Sequence, residues 1–260
     1  MLPLLPERTQ KPRSNGVTMV MDKGLGIRQA RDLVETSGHL IDFLKLGFGT
    51  SLVTKNIQEK IKLYQEYDMK VCVGGTLFEA FLIRDRLDDY LRFINDLGCD
   101  TIEVSDGSIQ MESERKCALI EQLSKKYTVV SEVGAKDSEV VLDTSHWIQS
   151  MENELSAGSS FVIGEARESG TVGIYEKNGS ADDQLIRNII SKVPQERIIW
   201  EAPLKSQQTW FVRLLGANVN LGNIAPSEIA AVETLRLGLR GDTFFEFLPQ
   251  EMDKHKLSKT

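Results

Sequence analysis

A single (β/α)₈ barrel is the fold predicted by this 260-residue sequence, and three observations predict it. Eight short apolar runs alternate with amphipathic helical stretches along the chain. Nearly every run ends in a charged residue or an amide, which gathers polar chemistry at one end of the strands, as at the C-terminal rim of a barrel. The length also matches the ~250 residues of one such domain and leaves no room for a second. The organisation expected is an N-terminal arm over 1–16, a barrel over 17–241 and a C-terminal extension over 242–260.

Taken in order, the first run covers 17–21 and leads into Asp22 and Lys23. The second covers 41–46 and carries Lys45. The third, 71–73, differs from the rest by running into Gly74, Gly75 and Thr76. Leu87, Tyr90, Leu91, Ile94 and Leu97 then repeat at helical spacing, with Gly98 placed to cap the C-terminus. The fourth run, 101–104, carries Glu103, and the fifth, 129–133, carries Glu132. Asp143 or Thr144 caps a helix bearing Trp147, Ile148, Met151 and Leu155, which Gly158 ends. The sixth run, 161–163, leads to Glu165 and Arg167. Leu185, Ile186, Ile189, Ile190 and Val193 stripe the next helix, and Pro194 stops it. The seventh run, 198–200, stops at Glu201, and the eighth, 219–221, holds Asn220. Ile229, Val232, Leu235 and Leu239 mark the last barrel helix, ahead of Gly241.

Residues two apart on a strand share a face. Lys45, Glu103, Glu132, Glu165, Arg167, Glu201 and Asn220 therefore all face inward if the helices cover the apolar face. Buried charges must be paired or bind a metal. One reading is a ring of structural ion pairs; the other, favoured because carboxylates outnumber inward bases, is a site. The three histidines (His39, His146, His255) form no metal-binding spacing, so a metal here would be Mg²⁺ or Mn²⁺ on carboxylate oxygens. Glu132, Glu165 and Glu201 are the candidate ligands, with Glu103 in reserve.

Lys23, Lys45, Lys136, Arg167 and Lys205 all stand near strand ends, which implies a substrate with more than one anionic group. Barrels often hold phosphate in the loops after the last two strands. Arg167 and Lys205, with the backbone from Gly222 and Asn223 to Ile224, are the expected anion site, and Lys23 and Asn220 join them as candidates. Lys136, on the loop after the fifth strand, could act as a general acid if cationic neighbours lower its pKa, or be a plain surface lysine.

The net charge of −7 and the lack of any basic block argue against a nucleic-acid partner. No apolar run approaches a membrane span. Three cysteines with no CxxC suit a reducing cytoplasm. Phe244, Phe245, Phe247 and Leu248 form an apolar patch that either folds over the barrel bottom or packs on another subunit.

The strings MDKGLG, DFLKLGFGT, VGGTLFE, EVSDG, SEVGAK, IGEARESG, EAPLKSQQ and NVNLGNIAPSEIAAVETLRLGLRGDT resemble the phosphosulfolactate synthase family, and its bacillar branch in particular. They span about residues 17–243. The resemblance implies a Mg²⁺-dependent addition of sulfite to phosphoenolpyruvate, in the route to coenzyme M in methanogens, by a barrel that assembles into homo-oligomers. It also implies that a lysine after SEVG is the general acid. Lys136 matches that role, with Ala135 standing where archaeal members tend to carry lysine. Two alternatives stay open. One is a non-catalytic heat-stress-associated homologue. The other is another phosphoenolpyruvate or aldolase-type barrel enzyme, in which Lys136 or Lys45 forms a Schiff base.

Overall fold

The computed structural model describes residues 2–134 and 142–257, and it is an eight-stranded parallel barrel. In chain order the elements are β1 (Thr18–Asp22), α1 (Ile27–Ser37), β2 (Phe43–Leu46), α2 (Thr50–Val53), α3 (Ile57–Gln65), β3 (Lys70–Cys72), α4 (Gly75–Leu82), α5 (Leu87–Leu97), β4 (Thr101–Val104), α6 (Ser113–Ser124), β5 (Thr128–Val133), α7 (Thr144–Ser156), β6 (Phe161–Gly164), α8 (Asp183–Ile190), β7 (Ile198–Glu201), α9 (Lys205–Leu215), β8 (Leu221–Ile224) and α10 (Ile229–Arg236). The strands hydrogen-bond in the order β3-β2-β1-β8-β7-β6-β5-β4. Among the described residues no ladder joins β3 to β4. The seam between them is bridged at its top by the Gly75 N–H, which donates to the Glu103 carboxylate at 2.6 Å.

Local chemistry explains the elements. Gly98, at φ 76°, ends α5 in the left-handed conformation that glycine adopts without strain. The Asp143 carboxylate accepts from the His146 N–H at 2.7 Å and starts α7. Asp182 does the same for α8 through the Leu185 N–H at 2.9 Å. The eighth strand begins at Leu221, two residues later than the run 219–221 predicts. Asn220 explains the delay. Its Oδ1 accepts from the Val17 N–H at 3.0 Å, and its Nδ2 donates to the Glu196 and Ile198 carbonyls, both at 3.0 Å. The side chain fastens the starts of β1 and β7 together, at the barrel bottom.

The alternation along the strands makes two cores. Between strands and helices lies a large apolar layer that includes Leu44, Val71, Ile102, Val162 and Trp200. Inside the barrel, Val17, Met19, Phe43, Val130, Phe161, Ile163 and Ile199 form a second cluster. Phe43 and Phe161 meet edge-to-face there, 5.8 Å between ring centres. That plug fills the lower barrel, so the next inward positions up each strand can be polar only at the mouth.

The N-terminal arm docks beneath the plug. Arg13 pairs with Asp42 at 3.0 Å, and the Lys11 ammonium donates to the Gly38 and Tyr67 carbonyls at 3.1 and 3.0 Å. The segment after α10 carries the apolar patch of phenylalanines. It runs along α9 and α10: Asp242 pairs with Lys205 at 2.6 Å, the Thr243 hydroxyl donates to the Leu235 carbonyl at 2.8 Å, and Phe247 packs on the outer core. Among the described residues, no helix is long and apolar enough to cross a membrane.

Candidate active site

Above the apolar plug, the next inward residue on β2, β4, β5 and β7 is Lys45, Glu103, Glu132 and Glu201. All four are buried, at 6, 1, 2 and 2% exposure. The Lys45 ammonium lies 2.8 Å from Glu103 Oε1, 3.2 Å from Glu132 Oε2 and 3.5 Å from Glu201 Oε1. Burial alone would lower the pKa of this ammonium, but the three carboxylates outweigh it and hold it well above its ordinary value. Lys45 is therefore a fixed cation. An amine so firmly protonated is a poor nucleophile, which disfavours the Schiff-base reading for this residue. Burial raises the Glu201 carboxyl above its ordinary value, and Lys45 offsets only part of that.

The cluster floors a cavity of about 650 Å³ at the C-terminal rim, lined also by Met21, Phe48, Glu165, Arg167, Glu168 and Asn223. Glu201 Oε2 accepts from the Ala166 N–H at 3.2 Å and from Asn223 Nδ2 at 3.3 Å. Phe48, Arg167 and Asn223 adopt positive φ of 57, 52 and 54°. Left-handed backbone at three non-glycine residues around one cavity is the kind of strain that persists at functional sites.

The site expected from the sequence is assembled in part. Lys45, Glu103, Glu132, Glu165, Arg167, Glu201 and Asn223 share the cavity. Lys23 stands at its edge, paired with Glu168 of the lining and 5.8 Å above the Phe48 ring. Asn220 is at the opposite end of the barrel, because the eighth strand starts after it. Lys205 starts α9 but pairs with Asp242 and does not line the cavity. Gly222 is inside β8, not in a phosphate loop. A Cβ there would come within 2.9 Å of Ile199, so its bare backbone makes room beneath Glu201. Lys136 lies outside the described residues.

The carboxylate grouping also differs from expectation. Glu103 joins Glu132 and Glu201 around Lys45, while Glu165 accepts from the Arg167 N–H at 2.5 Å. Among the described residues no three His, Cys, Asp or Glu side chains form a metal-binding group. The donor type still fits Mg²⁺, which usually takes one or two carboxylates and completes its shell with water and substrate oxygens. Four buried carboxyl groups, Glu103, Glu132, Glu165 and Glu201, thus share the cavity with one buried ammonium.

Sequence reasoning missed Gly75, Glu79 and Ser105. The Ser105 hydroxyl contacts Glu132 Oε1 at 2.9 Å and also Glu79 Oε1, while Glu79 Oε2 accepts from the Ser108 N–H at 3.0 Å. A signal was present: Glu79 is an acid between Phe78 and Leu82 on the buried face of α4. Only the tertiary fold brings it to the mouth.

Comparison with known proteins follows the same outline. A profile of the (2R)-phospho-3-sulfolactate synthase (ComA) family matches residues 6–242. The chain is 44% identical over 246 residues to the phosphosulfolactate synthase of Methanothermobacter thermautotrophicus, covering 92% of this chain and 95% of that one. It is 41% identical to that of Bacillus subtilis, covering 93% and 97%. The archaeal and bacterial identities are close, so identity does not single out the bacillar branch. In fold, thiamine phosphate pyrophosphorylase from Pyrococcus furiosus superposes with a TM-score of 0.52 at 13% identity, over 91% of this chain and 99% of that one.

Proposed function

The chain belongs to the (2R)-phospho-3-sulfolactate synthase family, and we propose that its barrel mouth adds sulfite to phosphoenolpyruvate to give (2R)-phospho-3-sulfolactate. It is an enzyme of the carbon–sulfur bond-forming lyase type. The observation that carries the reading is the Lys45–carboxylate cluster at the floor of a rim cavity, within the residues the family profile matches.

The chemistry follows from the residues present. Sulfite sulfur attacks C3 of the enol phosphate, the C2–C3 π pair moves into the carboxylate, and a proton then arrives at C2. Arg167, exposed at the rim, pairs with the phosphate or carboxylate of the substrate, and Asn223 Nδ2 and Lys23 hold the remaining oxygens. Lys45, held protonated by the three carboxylates around it, offsets the negative charge that builds on the substrate carboxylate. Lys136 delivers the proton to C2. Glu165, with a second carboxylate from Glu132 or Glu201, would hold Mg²⁺. The ion supplies Lewis-acid stabilisation of the developing carboxylate charge when bound. We extend the reading to a cytoplasmic homo-oligomer that acts on small anions, with no nucleic-acid or membrane partner.

The test is to incubate purified protein with phosphoenolpyruvate, sulfite and Mg²⁺ and to follow the product by mass spectrometry. The expected mass is that of the sulfite adduct; no adduct under these conditions would refute the reading.

A further inference from the structure

The acid on α4 is the feature of the mouth that the proposed chemistry leaves without a role. Glu79 is 2% exposed on a helix whose other buried side chains are Leu77, Phe78 and Leu82. A buried carboxylate is a costly choice there, since an apolar residue would pack the position without losing hydration. The seam between β3 and β4 explains how it reaches the mouth. With no ladder between these strands, the first turn of α4 wedges into the gap. A Cβ on Gly75 would fall 2.3 Å from the Ser105 Cβ, so only glycine allows this approach. The wedge brings Glu79 onto the Ser105 hydroxyl and the Ser108 N–H.

Ser105 stands one residue past β4, and the register Val104↔Ser131 places it beside Glu132. Its hydroxyl meets Glu132 Oε1 at 2.9 Å, while Glu132 Oε2 faces the Lys45 ammonium. The backbone beneath is held separately. The Lys116 ammonium donates to the Glu132 carbonyl at 2.7 Å and pairs with Asp106 at 2.7 Å and Glu154 at 2.8 Å. Loss of the Ser105 hydroxyl therefore removes one hold on the Glu132 carboxylate and leaves the strand in place.

We propose that Glu79 and Ser105 are a positioning pair: with one hydrogen between Glu79 Oε1 and the Ser105 oxygen and the hydroxyl's own hydrogen directed at Glu132 Oε1, Glu79 fixes the Ser105 hydroxyl, and Ser105 fixes the rotation of the Glu132 carboxylate against Lys45. The proposal rests on the active-site reading above. Neither residue lines the cavity. What they set is the arrangement of charge at the cavity floor, and so the turnover step rather than substrate capture.

A double-mutant cycle on kcat tests it. Glu79→Ala and Ser105→Ala should each lower kcat by about 10–100-fold, the usual loss when a supporting hydrogen bond of a site is removed. KM for phosphoenolpyruvate should be largely unchanged. Because both act through one carboxylate, the double variant should be no slower than the slower single. Glu79→Gln can donate its amide N–H to the Ser105 oxygen while its own oxygen accepts from the Ser108 N–H, so it leaves the hydroxyl hydrogen for Glu132 and should recover most of the turnover, which also guards against a folding defect in the alanine variant. Additive losses in a wild type that makes product would overturn the pairing and leave the functional reading intact. If the wild type makes no product, the functional reading falls, and the pair is judged from crystal structures of Ser105→Ala and Glu79→Gln. A displaced Glu132 carboxylate in the first and a retained one in the second supports positioning; an unmoved carboxylate in Ser105→Ala overturns it.

Discussion

Lys45→Met removes the cation around which the mouth is organised. The ammonium contacts three carboxylates at 2.8, 3.2 and 3.5 Å and is almost wholly buried. At an effective dielectric of about 20, each contact is worth roughly 5 kcal/mol of gross attraction at such separations. Most of that is offset by taking the charges out of water. Deleting one partner leaves the desolvation of the others uncompensated, at a net cost of about 3–5 kcal/mol. For a domain of this size that corresponds to a Tm lower by roughly 6–20 °C. The pH dependence has a definite sign. The folded pKa of Lys45 is raised above the ordinary value of 10.5, so its stabilisation is complete below 10.5 and lost only as pH rises through the folded value. It does not titrate near neutrality. Glu201 has a folded value raised above 4.5, so its favourable contribution is present below 4.5 and is lost as pH rises through the folded value. Without Lys45 that value rises further, so the deficit of the variant should narrow as pH falls from about 7.5 to about 5.5. Thermal unfolding of both proteins at the two pH values checks this. A Tm difference under about 2 °C, or a deficit that fails to narrow on acidification, would refute the account of the cluster.

Four further outcomes are expected. Activity should require Mg²⁺ or Mn²⁺ and disappear on exhaustive chelation, returning on readdition; full turnover of the chelated protein would remove the metal from the reading. Arg167→Ala removes a charged partner of the substrate and should weaken phosphoenolpyruvate binding by about 1.5–3 kcal/mol, measured by calorimetry. Lys136→Met should lower turnover by ~10²–10⁴ while phosphoenolpyruvate binding is kept; near-normal turnover would move the proton to water or another group. Gly75→Ala forces a methyl against Ser105 and should destabilise the fold by about 1–3 kcal/mol, read from denaturant unfolding.

Strand and helix periodicity, read residue by residue, were enough to determine the barrel. The fourth strand lies where its apolar run predicts, and Gly98 and Asp143 cap the helices that their chemistry selects. Alternation within β5 and β7 also placed Glu132 and Glu201 on the inner face, since period two is a property of a single strand. The failures occur where the deciding partner is distant in sequence. Asn220 is near the end of an apolar run, yet its amide binds Val17, 203 residues away, and that contact puts it at the barrel bottom. Lys205 is near a strand end, yet Asp242 on the returning C-terminal segment takes it out of the cavity. Which three carboxylates surround Lys45 depends on how far each strand rises around the barrel, a quantity set by register between strands and not by any strand alone. The role of Glu79 depends on the open seam between β3 and β4, which exists only once the barrel has nearly closed. Periodicity is local and survives in the sequence. The distances at which charges pair are fixed only when eight strands are brought round to meet.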